Sequence, residues 1–239
     1  MVRDLKAALE SNEELAFLGQ LARASTTRRR FLTWAGVTVA FVALGCSKND
    51  KNPVAPGASV NLGTGDTAVL NYAYALEQLE AAFYTQVVAT PFAGMTAAEA
   101  SILTDIRDHE VIHRSFLKAA LGASAIADLA VSFASVTFTS RASVLGTAKA
   151  FEDLGVSAYN GAGQLITNPV YLTLAGKIVS VEARHAAVIR DLLAPKTAAF
   201  AGDDVVAVST GLDGERSPSQ VLAIASTYIK TTINRGDLP

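Results

Sequence analysis

The chain has 239 residues, half of them hydrophobic, and a formal charge of −2. That is enough apolar surface for a sizeable core, and few aromatics beside abundant alanine, leucine and valine favour packed helices over a sheet sandwich. Apart from one arginine run no basic stripe stands out, so the charge balance offers nothing to a nucleic acid.

Residues 3–24, "RDLKAALESNEELAFLGQLARA", carry a helical pattern ahead of that run. A helical pro-segment or a start codon chosen too far upstream would each explain it. Thr27, Arg28, Arg29, Arg30, Phe31 and Leu32 resemble the twin-arginine export motif. The apolar stretch that follows, Trp34 to Leu44, is short for a membrane span. It ends at Ala43, Leu44, Gly45 and Cys46, which resembles a bacterial lipobox, although the larger aliphatic residue usually comes first. Cys46 is the single cysteine and makes no internal disulfide. Lipidation gives it a purpose, ahead of an uncleaved anchor or an unmodified buried thiol. Residues 1–46 are therefore expected to be a leader, and the protein to be exported, either periplasmic or held at the cell envelope by an N-terminal lipid anchor. Residues 47–65, polar and rich in Pro, Gly and Asn, read as a flexible tether.

Residues 66–195 show four long segments of period 3.6, an all-α pattern. The first runs from Asp66 to Thr90, with Val69, Leu70, Ala73, Leu76, Phe83 and Val87 on one face, and stops at Pro91. The second begins at Thr96, where Glu99 completes a capping box, and stops near Gly122. The third starts near Ser140 and ends around Thr167. The fourth has Asn168 as N-cap and Pro169 at its first position. Short links make each pair an antiparallel hairpin, while about 17 residues between the second and third can span ~55 Å if extended, the length of a bundle. Two hairpins and one long crossover predict a four-helix bundle, with the crossover covering it as loop or short strand. Residues 196–239 are expected to be a loop and a helix capped by Ser217, packed outside the bundle.

Two Glu-x-x-His pairs stand out in a chain with only three histidines. Glu110 and His113 fall inside the apolar arc of the second helix, Glu182 and His185 inside that of the fourth, and Glu77 and Glu152 meet the same description on the first and third. A carboxylate in a core-facing stripe needs a partner or a metal. Glu77 stands 14 residues before Pro91, Glu110 14 after Thr96, Glu152 15 before Thr167 and Glu182 14 after Asn168, which predicts one common level near mid-bundle. Glu80 lies ~4.5 Å off that level, so Glu77 is the better candidate ligand and Glu80 a neighbouring or alternate one. Tyr84 and Tyr159 each follow a glutamate by seven residues, making the hairpins look like copies of one unit; they read as core residues, with support of the ligands or a redox relay as the alternative. His109, at the rim of its arc, reads as a solvated or capping histidine.

One glutamate from each of two helices with Glu-x-x-His from each of the other two resembles the di-iron or di-manganese carboxylate site of the ferritin-like superfamily. "ALEQLEAAFY" and "FEDLGVSAYNGA" are most similar to bacterial exported ferritin-like domain proteins. The resemblance implies Glu77 and Glu152 as terminal carboxylates, Glu110 and Glu182 as bridges, and one metal each for His113 and His185. Storage ferritins lack the histidine of the fourth helix, so the comparison shifts toward bacterioferritin and oxidase-like relatives. It implies two iron or manganese ions as cofactor and oxygen or peroxide as partner. A di-metal oxidoreductase is one expectation; a non-catalytic metal-binding or structural envelope lipoprotein is the alternative, and a homo-oligomer is an allowed state.

Overall fold

The computed structural model describes residues 58–239; the leader, Cys46 and the tether up to residue 57 lie outside them. The chain forms β1 (Ser59–Asn61), α1 (Gly65–Ala89), α2 (Ala97–Leu121), α3 (Arg141–Gly163), α4 (Pro169–Leu193), α5 (Pro218–Ala225) and β2 (Thr232–Asn234). α1 packs along α2 and α3 along α4, and the two hairpins meet through α1 and α3. This is an all-α bundle of the ferritin-like arrangement, with a minor two-stranded sheet beside it.

Local chemistry sets most helix ends. Thr96 and Glu99 form the capping box of α2, each side chain satisfying the other's backbone N–H. Ser140 accepts from the Ser143 amide and Asn168 from the Val170 amide. Ser217 and Gln220 build a second capping box, with Pro218 at the first position of α5. α2 ends at Gly122, whose φ of 52° suits a residue without Cβ.

Two sequence expectations need correction. α3 stops at Gly163 and not near Thr167, because residues 162–166 tighten into turns, with the Leu165 amide on the Ala162 carbonyl and the Ile166 amide on that of Gly163. The Asp66 carboxylate then takes the amides of Thr167 and Asn168, which holds the link to α4 against the start of α1. The end of the expected tether is β1, which pairs in parallel with β2, a strand the sequence pattern did not announce. Of the two forms expected for the crossover it takes the loop, with an isolated bridge between Val131 and Ile229 as its one strand-like contact.

The crossover still seals the bundle. Ile126, Leu129, Val136 and Phe138 are buried, and Phe133 and Phe138 meet Phe83 edge-on or tilted. α1 is buried nearly all round, so its outward face carries polar side chains that satisfy the covering backbone. Asn71 donates to the Leu62 and Ser124 carbonyls and accepts from the Ile126 amide, while Gln78 accepts from the Leu129 amide.

Candidate metal centre

Each bundle helix delivers its share to one place. Glu77 comes from α1, Glu110 and His113 from α2, Glu152 from α3, and Glu182 and His185 from α4. The i, i+3 spacing puts each glutamate and histidine on one helix face. All four glutamates are 0 % exposed and His185 is 4 % exposed. Ionised carboxylates at that depth are very costly unless cations or donors surround them.

The side chains form two groups, Glu77, Glu110, His113 and Glu182, and Glu110, Glu152, Glu182 and His185. Within each group one ligand atom per residue lies within 4.8 Å of the others, a spacing able to hold a metal ion. Glu110 and Glu182 belong to both groups. Glu80 belongs to neither, although it is buried beside them.

The contacts repeat with the halves exchanged. His113 Nδ1 lies 2.9 Å from Glu182 Oε1 and 3.4 Å from Glu77 Oε2. His185 Nδ1 lies 2.9 Å from Glu110 Oε1 and 3.4 Å from Glu152 Oε2. None of these approaches has hydrogen-bond geometry: both oxygens of Glu110 and of Glu182, one each of Glu77 and Glu152, and Nδ1 of both histidines are buried without a hydrogen-bond partner. Native interiors leave few such atoms. Here they crowd into one small volume, and a cation there would satisfy them together. Oxygen and imidazole donors without thiolate suit first-row divalent ions, so the residues present fit a metal.

Two tyrosines cross between the halves. Tyr84 donates to Glu152 Oε1 and Tyr159 to Glu77 Oε1, both at 2.5 Å. Each outer glutamate thus has one oxygen held by a tyrosine, and its other oxygen faces the group. Residues 65–195 of this chain match the ferritin-like domain family over the whole bundle. The chain belongs to that family. No curated protein sequence matches it.

In this ferritin-like centre the ionisable groups are strongly perturbed. Burial pushes the Glu110 carboxyl well up, with Glu182 and Glu77 adding to it. Burial also lifts Glu152, to about 7, although His185 draws it down. Glu182 goes the other way: burial opposes its charge, but His113 and His185 outweigh that and hold it at about 2. Burial works against charge on His185 as well, yet Glu152 and the other carboxylates facing it push it up to about 12. His113 is raised against burial in the same manner, first by Glu77. Metal-free, the cluster therefore balances its charge with protons.

Glu80 completes the surroundings. Burial, then Glu182, Glu110, Glu152 and Glu77, push its carboxyl well up, which favours the neutral form. Gly155 makes room for it, since a Cβ there would sit 3.2 Å from Glu80 Oε1 and 3.6 Å from Glu182 Oε2. Gly155 stands three residues after Glu152 on the same face of α3.

His109 is half-buried, and its Nδ1 lies 2.9 Å from Nε2 of His185, on the side of that ring facing away from the carboxylates. It belongs to neither ligand group, in keeping with its place at the rim of its arc, and the ring contact with His185 is what the sequence did not show. An inter-helix partner leaves no periodic signal along one helix, which is why sequence reading missed it.

Proposed function

We propose that this protein holds two iron or manganese ions between its hairpins and uses them in redox chemistry with oxygen or peroxide. The observation that carries the reading is the set of buried glutamate oxygens and imidazole nitrogens, without hydrogen bonds, in two groups that share Glu110 and Glu182. In this reading Glu77 and His113 serve one ion, Glu152 and His185 the other, and Glu110 and Glu182 both. Four carboxylates then meet two divalent ions near neutrality, and a neutral Glu80 fits that balance.

The bound ions would supply paired one-electron chemistry, as adjacent redox metals with open positions do. The chain's own residues contribute position and dryness. Tyr84 and Tyr159 hold Glu152 and Glu77 each by one oxygen, which keeps the other turned inward. Leu103, Ile106 and Leu145, all buried in the same core, limit water. Glu80, kept uncharged by burial and its acidic neighbours, is a proton held beside the reacting volume.

The twin-arginine motif and Cys46 extend the proposal to an exported protein, tethered to the envelope by lipid. Twin-arginine export carries folded proteins, which fits a centre loaded before translocation; export that survives replacement of Arg28 and Arg29 by lysine would remove this part.

Elemental analysis of the protein purified from its native envelope tests the centre. About two iron or manganese per chain are expected, lost in a Glu110→Ala, Glu182→Ala double variant. Loaded protein should then consume hydrogen peroxide or oxidise ferrous iron. Metal without turnover would reduce the reading to binding alone, and no metal would leave a protonated core network.

A further inference from the structure

We infer that His109 is a positioning residue for His185 and makes the two metal positions inequivalent. The inference rests on the metal reading above. Its structural basis is the contact between His109 Nδ1 and His185 Nε2 at 2.9 Å. The ring planes differ by only 10° while the centroids are 5.1 Å apart. A centroid separation longer than the N–N distance by about two ring radii means that the imidazoles meet edge to edge, not face to face. The hydrogen between them lies nearly in line with both nitrogens, the favoured geometry for such a bond.

That bond determines which face of His185 is available. A neutral imidazole carries one N–H and one lone pair. When Nε2 of His185 carries the hydrogen and donates it to His109 Nδ1, Nδ1 of His185 presents its lone pair toward Glu110 and Glu152. The opposite polarity would put the hydrogen on His185 Nδ1, between the carboxylates, and block a metal there. A metal on His185 Nδ1 therefore requires the hydrogen on Nε2, and His109 Nδ1 is then the acceptor that fixes the ring's orientation, as outer partners of metal-bound histidines generally do.

The corresponding position on α4 carries no histidine. The two halves match in Glu77 and Glu152, Glu110 and Glu182, His113 and His185, and Tyr159 and Tyr84. His109 directly precedes Glu110, and the residue directly preceding Glu182 is Val181, which has neither donor nor acceptor on its side chain. The His113 side chain is also the more exposed of the pair, 12 % against 5 %. The position served by His185 is thus the more constrained, and it fills first.

Anaerobic titration of metal-free full-length protein with Co(II), followed by calorimetry and by the visible absorption of the bound ion, tests this. The parent is expected to bind in two resolved steps. His109→Ala should weaken the tighter step by about 10- to 100-fold and leave the other within about twofold. His109→Gln, which restores an acceptor toward His185 Nε2, should recover much of the loss and the parent's spectrum. His109→Ala with both steps unchanged, or both weakened alike, overturns the inference. So does a glutamine variant no better than alanine. Melting curves of the metal-free variants separate a folding defect from a local one. A parent that binds no Co(II) fails the metal reading itself, and the inference with it.

Discussion

Tyr159 shows how far one hydroxyl matters. It reaches from α3 to Glu77 Oε1, in a place where neither group meets water. Tyr159→Phe would leave that oxygen without a donor, and the metal-free protein should lose about 1–3 kcal/mol in urea unfolding. Tyr84→Phe should cost a similar amount, because it serves Glu152 in the same manner. Tyr72→Phe is the control: that hydroxyl is buried with no partner, so its removal should be neutral or slightly stabilising. Equal losses in all three would mean that the hydroxyls act by packing alone. At this scale the Glu-x-x-His pairs were legible, because helix periodicity places residues relative to a face. The crossing of each tyrosine to the other hairpin was not, since periodicity says nothing about which helix a side chain meets.

Helix starts were readable for a related reason. Thr96 with Glu99, Asn168 with Pro169, and Ser217 with Pro218 are complete within a few residues, and the structure uses them as caps. The end of α3 depends on distant groups. Asp66 binds the link that follows it, and the last turns of α3 are shaped by the segment before α5. There the Arg216 amide donates to the Ser157 carbonyl, and its guanidinium to Ser157 Oγ at 2.7 Å. A Cβ on Gly161 would lie 1.9 Å from the Arg216 carbonyl oxygen, so backbone meets backbone there. In an open helix, glycine to alanine gains about 1 kcal/mol. Here Gly161→Ala should reverse sign and destabilise by about 1–3 kcal/mol, whereas Gly146→Ala, with nothing near its added Cβ, should show the ordinary gain. A stabilised Gly161→Ala protein would show that this segment is not held against α3.

Across the whole molecule, the proton-loaded centre sets how stability responds to pH. Glu152 is held up at about 7 in the folded chain, and in the unfolded chain it ionises near ~4.3, so stability falls as pH climbs between the two. His185, held up at about 12, contributes fully below its unfolded value of ~6.5 and loses that contribution as pH rises. Glu182, held at about 2, acts on the acid side: its contribution is present above ~4.3 and is lost as pH falls toward 2. Chelated protein should therefore melt highest near about pH 4.5, decline through about pH 6.5 as Glu152 ionises, and melt lower still at about pH 8. Metal binding requires those protons to leave, so the gap in Tm between loaded and chelated protein should widen from pH 5.5 to 8. A constant gap would mean that the ions do not replace protons in this cluster.

The amino-acid sequence by itself determined the four bundle helices, the crossover and the gathering of six ligand-type residues at one level, because local capping and helical period act within a single element. Tertiary structure decided what needed two elements at once: the tyrosines crossing between hairpins, Gly155 leaving space for Glu80, and β1 closing on β2. It also set Arg190 between Asp153 of α3 and Asp204 of the following loop, and His109 against His185. Each of these depends on the distance between side chains far apart in the chain. Packing fixes that distance, and no repeat along the sequence encodes it.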